Sequence, residues 1–176
     1  MASRLTSTIL KQANEIEDVN ERANWLRENA TYAVRGLLNF NFHPDVKFLL
    51  PEGEPNLEGL KIKKEAEDYV LGTEFSHLNS EMRKMYLFYE GGHPELQQHK
   101  RESLWVTLIT GLHEEERDDL SKMKDKKLQE KYPNITQEVG HLAFPDLVLK
   151  PTPIKELVRD NKGRFAKKTK KKEAKK

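Results

Sequence analysis

Apolar residues recur three and four positions apart along most of the chain, and no stretch alternates apolar with polar residues as a half-buried strand does. That spacing restricts the fold to helices packed on helices. The predicted class is all-α: a compact multi-helix domain built from short helices. Leu5, Ile9, Leu10 and Ala13 mark a first helix. Asp18 followed by Glu21 has the form of a capping box, which starts a second helix carrying Val19, Ala23, Trp25 and Leu26. Tyr32, Val34, Leu37, Leu38 and Phe42 continue a third pattern, which stops before His43-Pro44 because proline disfavours helical geometry in the residue before it.

The apolar irregular stretch HPDVKFLLPEGEP follows, with Pro51, Gly53 and Pro55 forcing a loop. A weak amphipathic helix is predicted over 60–71, with Ile62, Ala66, Tyr69 and Val70 inward. A stronger one is predicted over 78–89, with Leu78, Met82, Met85, Tyr86 and Tyr89 on one face and Gly91-Gly92 as its stop. The next, over 94–112, places Leu104, Trp105, Leu108, Ile109 and Leu112 inward. His113 opens a further helix with acidic residues in its first turns and lysines toward its end, the order that complements the helix dipole. Thr136 is an N-cap for a last helix that Pro145 terminates.

Charge divides this chain into two parts. Residues 159–176 hold 10 basic and 2 acidic side chains, a net of +8, which leaves 21 basic and 27 acidic residues in positions 1–158, a net of −6. The lysine-rich end cannot bury enough apolar area to offset chain entropy and is expected to be disordered. The division expected is therefore a helical domain over 1–150 and a linker and tail over 151–176. With no cysteine, a disulfide framework and a cysteine nucleophile are excluded. No apolar run approaches the roughly 18 residues that cross a bilayer, so no membrane is expected as a partner.

No catalytic constellation emerges from the motifs. The histidines at 43, 77, 93, 99, 113 and 141 are scattered, and Arg117 stands where a zincin helix starting at His113 has its second histidine. Gly91-Gly92 lacks the preceding strand and the following Gly-Lys-Ser/Thr of a phosphate cradle. Glu114, Glu115, Glu116, Asp118 and Asp119 point in different directions on one helix and read as a solvated first turn. Trp25, Trp105, Phe40, Phe42 and Phe48 could stack bases, but each falls on an apolar face where core packing is the preferred account. No cofactor is expected.

Nucleic-acid chemistry is the positive signal. Arg164, Lys167, Lys168, Lys170, Lys171 and Lys172 offer closely spaced charges without fixed geometry, which suits counterion release and binding without base readout. A solubility tail, or one that folds back on the acidic body, are the alternatives. Lys100, Arg101, Lys122, Lys124, Lys126 and Lys127 are the candidates for a docking face on the body.

The stretches VRGLLNFNFHPDVKFLLPEGEP, KRESLWVTLITGLHEEERDDLSKMKDKKL and ITQEVGHLAFPDL resemble a family of small proteins of large tailed phages, including phages of cyanobacteria, to which no activity is assigned. More distantly, ILKQANEI, WLRENA and VRGLLNFNF with HPDVKFLLP, then Met123 to Leu128 and Phe144-Pro145-Asp146-Leu147, resemble the helical N-terminal DNA-binding domain of phage ATP-dependent DNA ligases over about residues 8 to 150. The ligase Lys-x-Asp-Gly nucleophile motif is missing, so the resemblance implies DNA binding without ligation. The expectation is a non-enzymatic phage protein in the host cytoplasm that binds DNA or another polyanion without sequence preference. The alternative is an adaptor for a phage or host replication or transcription protein, or for virion assembly.

Overall fold

The computed structural model describes residues 5–57 and 77–151. The helix predicted over 60–71 and the tail candidates Arg164, Lys167, Lys168, Lys170, Lys171 and Lys172 lie outside the described residues. Among those described, the chain forms α1 (Thr6–Glu15), α2 (Val19–Asn29), α3 (Tyr32–Phe42), α4 (Leu78–Glu81), a 3-10 helix (Met82–Leu87), α5 (Gln98–Thr110), α6 (Glu114–Lys124), α7 (Leu128–Lys131) and α8 (Gln137–Ala143). The all-α class is thus the observed one. An isolated antiparallel bridge joins Phe48 to Tyr89.

Local signals start the helices as their side chains require. Asp18 Oδ1 accepts from the amides of Asn20 and Glu21 at 2.8 Å each, Thr31 Oγ1 from Val34, His113 Nδ1 from Glu115 and Thr136 Oγ1 from Val139. α3 is the centre of the bundle, packing against α1, α4, α6, α8 and the 3-10 helix. Its Ala33, Val34, Leu37 and Leu38 are fully buried. Each such leucine or valine contributes about 1.5–3 kcal/mol by leaving water. Gly36 makes one close approach possible, since a Cβ there would lie 2.8 Å from the Met82 sulfur.

The helix predicted over 78–89 is instead one α turn followed by the 3-10 segment. The tighter winding brings residues three apart into line, and Met82, Met85 and Phe88 are buried together at 1–3% exposure. Phe88 therefore occupies the place expected of Tyr86, which is 47% exposed. Tyr89 turns out to pair with the loop: Leu49 donates to Phe88 O at 2.7 Å and Glu90 to Lys47 O at 2.8 Å. Phe40, Phe48 and Tyr89 then form a ring cluster with centroids 5.7–6.5 Å apart. Gly92 closes the following turn, where a Cβ would sit 2.0 Å from Tyr86 O.

α5 is shorter than predicted. Leu104, expected inward, is exposed, and the buried line is Arg101, Trp105, Leu108 and Ile109. The four-residue α7 was not anticipated; Lys126, with φ at 61°, turns the chain out of α6 into it. Of the aromatics weighed as stacking platforms, Trp105 is core, and Trp25, Phe40, Phe42 and Phe48 are partly buried against the core.

Candidate interaction surface

The six body cations do not form one face. Arg101 is 4% exposed, and its guanidinium donates to Leu87 O at 2.9 Å, His93 O at 3.2 Å and Gln98 Oε1 at 2.9 Å, tying the end of the 3-10 helix to α5. Lys124 is 5% exposed and binds Asp125 and, at 2.7 Å, Pro51 O. Lys126 donates to Phe40 O and to His43 O at 2.9 Å, and burial pulls its pKa down. Both lysines cross from the α6–α7 junction to hold backbone carbonyls, Lys126 those at the end of α3 and Lys124 that of Pro51 in the segment beyond.

Lys127 pairs with Glu52 at 2.7 Å, a contact that raises the lysine pKa and lowers that of the glutamate. Lys122 lies 3.9 Å from Asp118 and 3.7 Å from Glu130. Lys100 alone of the six is exposed with no partner among the described residues. The expected docking face therefore needs correcting for Arg101 and Lys124, which are buried. A cation already satisfied by carbonyls or a carboxylate displaces few counterions on meeting a phosphate.

These same contacts assemble an acidic loop. Gly53 N donates to Asp125 Oδ2 at 2.8 Å, and Gln98 Nε2 donates to Leu49 O at 2.9 Å and Glu102 Oε1 at 2.7 Å. Residues 49–53 are thereby fastened to α5 on one side and to the end of α6 on the other. Between loop and α5 lies a groove of about 150 Å³ lined by Leu50, Pro51, Glu52, Gly53, Glu54, Pro55, Glu102, Trp105 and Val106. Its walls are apolar and its charged groups are all carboxylates. Neither the apolar run HPDVKFLLPEGEP nor the lysines at 124–127 signalled this surface separately. It arises from their meeting.

The carboxylates of α6 also depart from the solvated turn expected. Glu116, 3% exposed, accepts from Thr6 N at 2.9 Å and from Leu78 N at 3.2 Å, so one side chain caps the first turns of α1 and α4. Asp119 is fully buried and accepts from Lys131 Nζ at 2.6 Å and Tyr132 Oη at 2.8 Å. Burial pushes its carboxyl up to about 6, against the pull of Lys131, and burial beside that carboxylate pushes the Tyr132 hydroxyl up as well. Glu114 stays exposed, Glu115 pairs with Lys11, and Asp118 pairs with Lys131 at 2.7 Å. A helix packed on three sides buries whatever lies on its inner face, and here two acids do.

Arg22 and Arg27 were likewise missed. Arg22, 4% exposed, donates to Ile16, Glu17 and Asn134 carbonyls, and Arg27 to those of Leu142 and Ala143. Their position on the α2 face that carries Ala23 and Leu26 was the available signal.

No described helix is long and apolar enough to cross a membrane. Among the described residues, no group of three or more histidine, aspartate or glutamate side chains is placed to hold a metal ion. No curated protein and no solved structure matches the chain. One family model does match, over residues 9–130, which reach from α1 into α7 and take in the acidic loop and groove. By that match the chain belongs to DUF6433, a family of unknown function.

Proposed function

We propose that the chain is a non-catalytic adaptor whose helical body binds a protein partner, while its lysine-rich end draws it to nucleic acid. The observation that carries this reading is that the cations at 124–127 are already engaged within the body: Lys124 and Lys127 hold the acidic loop at Pro51 O and Glu52, and Lys126 holds the carbonyls of Phe40 and His43. A body with a net of −6 and such a loop repels a phosphate backbone and attracts basic protein surfaces. Leu104, which lines the groove between the 3-10 helix and α5, is 42% exposed, and Tyr86 on the 3-10 helix is 47% exposed. An exposed tyrosine of this kind is among the usual anchors of protein interfaces.

The resemblance to proteins of large tailed phages sets the proposed role in replication, transcription or virion assembly, with a phage or host protein as partner. The ligase resemblance then extends to the order of helices and not to contacts with DNA.

DNA binding by the end of the chain is the second reading, favoured by the +8 of residues 159–176. Fluorescence anisotropy with a labelled duplex tests whether the body or the end of the chain meets DNA. A chain ending at Leu157 is expected to lose most of its affinity and its salt dependence. A truncated body that still binds duplex as tightly as the full chain would overturn the adaptor reading.

A further inference from the structure

The grooves on the described surface differ in charge. Those lined by Glu81 and Lys84, by Lys122 and Lys127, and by Arg117 and Lys131 all mix signs. The groove between the 49–53 loop and α5 does not. Its charged lining is Glu52, Glu54 and Glu102, set around Leu50, Pro51, Pro55, Trp105 and Val106. At about 150 Å³ it is smaller than the 300–1,000 Å³ typical of a site for a drug-sized molecule, and suits a single side chain.

An amphipathic cation meets both features of this groove. A lysine lays its methylene stem on apolar surface and keeps its ammonium at the charged rim. Glu54 has no partner among the described residues, so at least one carboxylate is available without breaking an internal contact. Lysines are abundant in this chain just past the described body. The segment 167–172 carries five of them, and Lys167 lies 16 residues beyond Pro151. An extended chain of that length reaches about 50 Å, against a radius of gyration of about 15 Å for a body of this size. Tethering raises the effective concentration of such a segment to about the millimolar range.

We propose that the lysine segment 167–172 docks intramolecularly on the acidic groove formed by Glu52, Glu54, Glu102 and Trp105, so that nucleic acid and the body compete for the same lysines. Nucleic acid would then free the groove as it takes the tail. The docking requires no protein partner, so its failure leaves the adaptor reading untouched.

Zero-length carbodiimide coupling of the full chain, followed by peptide mass spectrometry, tests the contact. In monomer at low salt, amides are expected between lysines 167–172 and Glu52, Glu54 or Glu102. They should disappear at 1 M salt, where the Debye length is about 3 Å. The Lys127–Glu52 pair, at 2.7 Å, is the internal positive control. Amides spread equally over Glu17, Glu28 and Glu138, or found only between two copies, would overturn the proposal. A second measurement reads competition. The E52Q/E54Q/E102Q chain is expected to bind a single-stranded oligonucleotide about three- to tenfold more tightly at low salt. The exposed triple E17Q/E28Q/E138Q removes the same charge elsewhere and should leave affinity nearly unchanged. Equal tightening by both triples would assign the effect to overall acidity and overturn docking at the groove.

Discussion

Glu116 holds together three helices that are far apart in sequence, and its removal should be among the costliest single changes in the body. Its two carboxylate oxygens accept the amides of Thr6 and Leu78, and neither Leu5 nor His77 supplies a side-chain cap in its place. Hydrogen bonds to a charged acceptor contribute about 1.5–3 kcal/mol each, and a buried amide left unpaired costs about 1–3 kcal/mol. Glu116→Ala removes both bonds and opens a small cavity, so a loss of about 3–5 kcal/mol is expected. The dipole of α6 accounts for less, since an acid in a first turn contributes about 0.3–1 kcal/mol. Glu116→Gln separates these effects. It retains one carbonyl acceptor, so one amide stays paired while the other faces an NH2 group, and a loss of about 2–3 kcal/mol follows. Urea unfolding followed by far-ultraviolet circular dichroism measures all of these, with Glu114→Ala as control because Glu114 is exposed in the same turn. That control should stay within about 0.5 kcal/mol of the parent. A Glu116→Gln protein as stable as the parent, or a Glu114→Ala protein as damaged as Glu116→Ala, would refute the bridging account.

Asp119 gives a pH signature. Its folded pKa of about 6 exceeds the ordinary 3.8, so the folded state binds the extra proton and stability falls as pH rises from about 4 through 6, by up to about 3 kcal/mol. Glu115, whose pKa is lowered, works in the opposite sense, so the readout is parent minus Asp119→Asn across that window; a flat or rising difference contradicts the assignment. Arg101→Lys is expected to cost about 2–4 kcal/mol, because an ammonium cannot replace a fork that serves Leu87, His93 and Gln98. The variant should leave DNA affinity unchanged in anisotropy, whereas an Arg101 that met phosphate would lose affinity with little loss of stability. Gly92→Ala forces a Cβ to within 2.0 Å of Tyr86 O and should lower the unfolding midpoint by more than any exposed alanine substitution, as differential scanning fluorimetry can show.

Much of the architecture was legible because it is encoded locally. Asp18, His113 and Thr136, each read as a helix start, cap helices with atoms two or three residues away, and the apolar spacing of α1, α3 and α8 follows from the period of each helix itself. The helix predicted over 78–89 failed because two windings satisfy similar spacings over one or two turns. Pairing of Phe48 with Tyr89, 41 residues apart in sequence, favours the tighter one here. The candidate interface was harder to read for a related reason. A lysine at 124 or 127 looks the same in sequence whether it faces solvent or a carbonyl 73 residues away.

The sequence by itself determined the helical class, most helix starts, and the division into an acidic body and a lysine-rich end, since these depend on spacing, short-range hydrogen bonds and charge counting. Only the tertiary structure decided which charges remain available. Burial turned Arg101, Lys124, Glu116 and Asp119 from surface candidates into internal ties, and it set three glutamates around an apolar groove. A charge's meaning depends on its distance from groups that packing alone brings near, and such distances are long-range consequences of the whole fold.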